Sequence, residues 1–119
     1  MSRLNIRLKR AYEAPEASDG SRYLVERLWP RGVAKERLQL TEWVKDVAPS
    51  SALRQWYGHQ LERWDEFQER YRAELTANPA AWKPLLEASE RGPVTFVYAA
   101  KDELHNSALV LKRFLEERP

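Results

Sequence analysis

Cysteine is absent from the 119 residues, which excludes disulfides, thiolate nucleophiles and cysteine-ligated metals. Histidine occurs only at His59 and His105, too far apart for a metal-ligand spacing, so no metal site is expected. Long apolar runs are missing too. Nothing approaches the ~20 residues of a membrane span, and the first residues, MSRLN, lack the apolar segment of a leader. The expected location is therefore cytoplasmic, with no membrane partner. Neither sign of charge dominates: 20 Lys+Arg stand against 18 Asp+Glu, interleaved along the chain. Despite a pI near 9.0, this is a weak footprint for a nucleic-acid partner.

What is present suits a folded domain. Hydrophobic residues make up 43% and charged residues 32%, with five tryptophans, which fits a packed core under a heavily charged surface and argues against disorder. The length matches a single domain, residues 1–119. The strongest local signals lie in the last quarter. Residues 94–98 (VTFVY) form a short apolar, β-branched and aromatic run after Gly92-Pro93, the pattern of a strand buried on both faces. Ala108, Leu111, Phe114 and Leu115 follow at helical spacing, with Asp102 as the expected N-cap and Glu103 in the first turn.

Upstream, Leu4, Ile6 and Leu8 alternate with polar residues, as on a half-exposed edge strand. Residues 12–22 read as loop, residues 23–28 as a second strand ended by Pro30, and residues 38–44 as a third short strand. Between them, residues 34–37 suit one helical turn. Pro49-Ser50 opens a helix that Gly58 stops. Trp64, Phe67, Tyr71 and Leu75 then make an apolar stripe on a helix over 61–77. Asn78-Pro79 opens another helix, reaching Gly92, which Pro84 is expected to kink or shorten. Strands separated by helices predict an α/β fold: a small three-layer sandwich whose mostly parallel sheet is flanked by helices.

In such folds ligands bind beyond the carboxyl ends of the strands. If the second strand and the strand over 94–98 are parallel neighbours, the loop at 29–32 (WPRG) comes beside residues 101–106. A basic set then falls at or after strand ends: Arg27, Arg31, Lys35, Lys45, Lys101 and His105. Arg supplies a rigid fork and Lys a point charge for a phosphate or carboxylate. The candidate ligand-binding residues are Arg27, Trp29, Arg31, Lys45, Lys101, Asp102 and Asn106, with Trp29 walling the pocket or lining the core. The candidate catalytic residue is His105, as general acid or base. Set against this, the arginines can serve purely as ion-pair partners of Glu26, Asp46 or Asp102, and a lone histidine is more often a packing or capping residue. His59 reads as ordinary surface. Trp43, Trp56, Trp64 and Trp82 read as core.

Asp19-Gly20, VERLWPRG at 25–32, KDVAPS at 45–50, WYGH at 56–59 and YAAKD at 98–102 with His105-Asn106 together resemble the YeaO-like branch of a bacterial family, domain of unknown function 488. The resemblance covers nearly the whole chain and implies a compact α/β fold, but no assigned activity. It also implies that other branches carry a Cys at the end of the strand matching 94–98, and a Cys-His-Arg near the start of the final helix. Here Tyr98 takes the first place and Leu104-His105-Asn106 the second, so a thiol mechanism is excluded while the histidine is retained as His105. Some family members bear transcription-regulator names, yet no helix-turn-helix with a basic recognition face is visible. The expected function is binding of an anionic or phosphorylated small molecule at the strand ends, with catalysis by His105 left open and no cofactor specified. The alternative is a non-catalytic module that meets nucleic acid or a protein through the basic, Trp-containing loop.

Overall fold

The computed structural model describes residues 4–118. Residues 1–3, which open the stretch searched for a leader, and Pro119 lie outside them. In chain order the described elements are β1 (Ile6–Arg10), β2 (Ser21–Leu24), α1 (Lys35–Leu38), β3 (Glu42–Trp43), α2 (Ser51–Tyr57), α3 (Trp64–Thr76), α4 (Pro79–Arg91), β4 (Val94–Tyr98) and α5 (Ser107–Glu116). Single 3-10 turns occupy Ala17–Asp19, Lys45–Val47 and Leu61–Arg63. The strands form one sheet in the order β1-β4-β2-β3, and every pairing is parallel. The α/β class expected from the sequence is the class observed.

β4 is central and all five of its residues are buried, as its unbroken apolar run requires. Val94, Phe96 and Tyr98 belong to the main core, together with Leu53 and Tyr57 of α2, Phe67, Tyr71 and Leu75 of α3, Trp82 and Leu85 of α4, and Leu111 and Phe114 of α5. Val97 belongs to a smaller core with Ala11, Leu24, Val33 and Leu38, against which Trp29 and Trp43 pack. The two covering layers are therefore unequal. Four helices cover one face, whereas the other is covered by α1 and the loop leading to it. No helix among the described residues is long and apolar enough to cross a membrane.

Four local expectations are corrected. β2 does not run over 23–28; it spans Ser21–Leu24 and so takes in the end of the expected 12–22 loop. Its start is drawn in by Ser21 N donating to Pro93 O at 3.1 Å, and beyond Val25 the side chains of Glu26 and Arg27 bond to backbone of other loops, taking the chain off the ladder. β3 does not fill 38–44, because Leu38 closes α1 and Gln39 turns the chain with φ 47°, leaving only Glu42–Trp43 to pair with β2. Pro84 does not shorten α4, which continues to Arg91; the proline is on the exposed side, where the carbonyl it leaves unpaired one turn back can be hydrated. Finally, Asp102 does not cap α5. That helix begins at Ser107, and Asn106 is the cap, its Oδ1 accepting from Leu109 N at 2.9 Å.

The turn at Asp19-Gly20 fastens the sheet on its thinly covered side. Asp19, 1% exposed, accepts from Lys9 Nζ of β1 at 3.0 Å and from Arg22 Nη1 of β2 at 2.6 Å. Its backbone carbonyl accepts from Thr95 Oγ1 of β4 at 2.8 Å. Gly20 has φ +66°, and a Cβ there would lie 2.0 Å from Pro93 O, so no other residue fits without moving the entry to β4. Burial pushes the Asp19 carboxyl up, but the Glu16 amide, Lys9 and Arg22 outweigh it and hold the group below the usual carboxylate range.

Two predictions follow from these contacts. Asn106→Ala should cost about 1 kcal/mol in a denaturant melt, since the α5 amide it satisfies loses its partner. Asp19→Asn should cost roughly 3–5 kcal/mol near pH 7, because it leaves Arg22 buried without its counter-charge, Lys9 keeping Glu16 as a partner. The sign of its pH dependence is fixed by the lowered folded pKa: the carboxylate's contribution is complete above its unfolded value and is lost as pH falls through the folded one. Melts taken from pH 6 downward should therefore show wild type converging on Asp19→Asn, and a constant gap between them would contradict the network.

Candidate functional site

A cleft of about 300 Å³ opens at the carboxyl ends of β2 and β4, on the face covered by α2, α3 and α5. Glu26 and Ala99 form its floor. Just beyond β2, Glu26 Oε2 accepts from Ala99 N, just beyond β4, at 2.8 Å, which ties the two strand ends together. Arg54 and Tyr57 reach the cleft from α2, Phe67 from α3, and Asn106 and Ser107 from the start of α5. The Tyr57 and Phe67 rings lie 4.6 Å apart and make an aromatic wall. His59 enters on a tight turn in which Gly58 (φ 51°) and His59 itself (φ 57°) are both left-handed. Arg27 anchors the segment that brings Pro49 to the cleft: Nε donates to Pro49 O at 2.8 Å and Nη2 to Ala48 O at 3.1 Å.

The half-buried Glu26 is electrostatically uncomfortable. Desolvation pushes its carboxyl above the ordinary glutamate value, and the Ala99 amide, Arg54 and His59 only partly offset this. Groups held this way in a cleft are a recurring mark of functional sites. Residues 102–105 form a second charged element. Asp102 Oδ1 accepts from Leu104 N at 2.9 Å and His105 N at 3.1 Å, and its Oδ2 lies 2.9 Å from His105 Nδ1. The Leu104 amide and His105 hold the Asp102 carboxyl below its ordinary range. An ionised carboxylate can only accept, so Nδ1 carries a proton and donates it to Asp102, leaving Nε2 free of this contact. The Trp64 ring meets His105 edge-on, 5.2 Å between centroids, and fixes the imidazole plane.

Of the residues singled out from the sequence, His105 and Asn106 line this cleft and Asp102 orients His105. The others are placed differently. Arg27 is engaged with the carbonyls of Ala48 and Pro49, and not with Glu26, Asp46 or Asp102. β2 and β4 are indeed parallel neighbours, yet the 29–32 loop does not line the cleft beside residues 105–106. Trp29 Nε1 donates to Val33 O at 2.6 Å and its ring packs edge-on against Trp43, because the smaller core on the opposite face takes up the indole. Arg31 and Lys101 are exposed, while Lys45 lies 4.0 Å over the Trp43 ring. Glu26, Arg54, Tyr57 and His59 are lining residues that sequence reasoning did not select as site residues. Glu26 falls in the VERLWPRG motif and Tyr57 and His59 in WYGH, whereas Arg54 lies in no motif and carried no signal. Among the described residues no group of three or more His, Asp and Glu is arranged to hold a metal.

Comparison with known proteins identifies the family. The group described as the "Inactive DUF488-N3 subclade" matches residues 5–119, and the chain belongs to this family, in its YeaO-like branch. The chain is 42% identical over 112 residues to the uncharacterized protein YeaO of Escherichia coli (strain K12), covering 94% of this chain and 97% of that protein. It is 43% identical over 113 residues to uncharacterized proteins of Mycobacterium bovis and Mycobacterium tuberculosis, covering 95% of each partner in the comparison. No solved structure matches.

Glu26→Gln keeps an acceptor for Ala99 N and removes the desolvated charge, so the variant should melt higher than wild type at neutral pH. Because the folded pKa is raised, the stability linked to the protonated acid is present below the unfolded glutamate value and lost as pH rises through the folded one. The advantage of the Gln variant should accordingly be small at pH 4 and largest at pH 7. Equal melting temperatures at both would show that Glu26 is well solvated.

Proposed function

We propose that the chain binds a small anionic molecule in the strand-end cleft and holds it without chemical turnover, as a cytoplasmic binding protein. The observation that carries this reading is Arg54, a guanidinium placed on an aromatic-walled cleft together with His59, His105 and the first residues of α5. Guanidinium, imidazole donors and the unpaired amides of a helix start suit a phosphate or carboxylate. The description of the family as inactive supports binding without turnover, as does the absence of cysteine. In this reading His105, oriented by Asp102, is a hydrogen-bond partner of the ligand and not a general acid or base. The interaction-module alternative has less support, because the ring and N–H of Trp29 are both engaged within the protein.

Inorganic phosphate at low ionic strength should raise the melting temperature, since a ligand that binds only the folded state stabilises it by mass action. Arg54→Ala should abolish the shift and change the ligand-free stability by no more than ~0.5 kcal/mol. Lys101→Ala, at the exposed turn before Asp102, should reduce the shift less, and Arg31→Ala should leave it unaltered. A shift that survives Arg54→Ala would move the anion elsewhere on the surface.

A further inference from the structure

Glu26 and Arg54 give the cleft two poles of opposite sign. Arg54 is near enough to pull the Glu26 carboxyl partly back toward its ionised form. Yet none of the ion pairs among the described residues joins them or uses either one. No hydrogen bond among the described residues uses the Arg54 side chain, and Glu26 accepts from Ala99 N through Oε2 alone. The backbone explains why the charges stay apart. Glu26 is held at the β2 end by that amide bond and by its own carbonyl, which accepts from Trp43 Nε1 at 2.6 Å. Arg54 is held on α2, whose ends are fixed by the Ser50 cap and by Gly58. A half-buried carboxylate and a guanidinium that line one open cleft without pairing with each other make a site that keeps both partners for something else.

We infer that the ligand is a small zwitterion, its anionic group set against Arg54 and its protonated amine set against the free oxygen of Glu26. This rests on the anion-binding reading and narrows it to a chemical class. A plain anion would satisfy Arg54 but would be repelled by Glu26, whereas an amine between the anion and the carboxylate turns that repulsion into attraction. The aromatic wall of Tyr57 and Phe67 can accommodate a short carbon chain joining the two poles.

Phosphoethanolamine and sn-glycerol 3-phosphate separate the two ideas, because both carry a phosphate ester on a short chain and only the first carries an ammonium. Titration calorimetry on the intact chain should show phosphoethanolamine binding about tenfold more tightly, the worth of one charge-assisted hydrogen bond. Glu26→Gln, which keeps the fold, should bring the ratio close to one, and Arg54→Ala should weaken both ligands. If glycerol phosphate binds wild type as tightly, or the preference survives in Glu26→Gln, the zwitterion inference is overturned while anion binding stands. Absence of binding by both ligands would overturn both readings together.

Discussion

One buried carboxylate couples three of the four strands. Through its side chain Asp19 takes Lys9 from β1 and Arg22 from β2, and through its backbone carbonyl it takes Thr95 from β4. A parallel sheet has no hairpins to fix its register, so each strand must be indexed by something outside the ladder. Here the index is a charge-assisted set placed where the covering layer is thinnest. Arg22 is 4% exposed, with Nε donating to Leu38 O at 2.8 Å, so the same guanidinium that anchors the sheet also anchors α1. Its Nη2 is buried without a hydrogen-bond partner, which shows how much desolvation the arrangement tolerates to keep Asp19 paired. Such a network gives little net stability against an apolar replacement, but breaking one half of it is costly.

The sequence made legible whatever depends on local patterns. β4 could be seen because a strand buried on both faces has no alternation to obscure it, and α2 because Ser50 and Gly58 mark its ends chemically. The starts and stops of β2 and β3 were hidden, since they are set by distant backbone: Pro93 O receives Ser21 N, and Arg22 O receives Thr41 N at 2.7 Å. Asp102 was a plausible cap by residue type. Yet Asn106 also has the right chemistry, and the choice was made by a turn that Asp102 itself stabilises, which delays the helix by four residues. The candidate site was legible in its place, at the strand ends, and only partly in its members. Charge counts favour the conspicuous arginines, but Arg27 serves the backbone, while Glu26 acquires its character only from the burial that the fold imposes.

The two faces of the sheet have accordingly divided the work. The opposite face satisfies its charges internally, through Asp19, and its tryptophans against each other, with Trp29 and Trp43 5.3 Å apart. The helix-covered face leaves charged side chains at the strand ends pointing into open volume. Tyr71 shows the contrast within the main core. Its hydroxyl is fully committed, donating to Val47 O at 2.6 Å, and burial pushes its ionisation far above the ordinary tyrosine value. Glu26, one strand end away, has an oxygen to spare.

The position of β4 in the chain also governs how the protein can be assembled. Among the described residues β1 pairs with β4 and with no other strand, and β2 meets β3 along only two residues. As synthesis proceeds from the N-terminus, the first three strands leave the ribosome before the strand that joins them. Ile6 must wait for Val94, its register partner. Closing a loop of that length comes late and slowly compared with helix formation. The nascent chain therefore carries its helices α2, α3 and α4 ahead of any complete sheet, with their apolar stripes open to chaperones until residues 94–98 arrive.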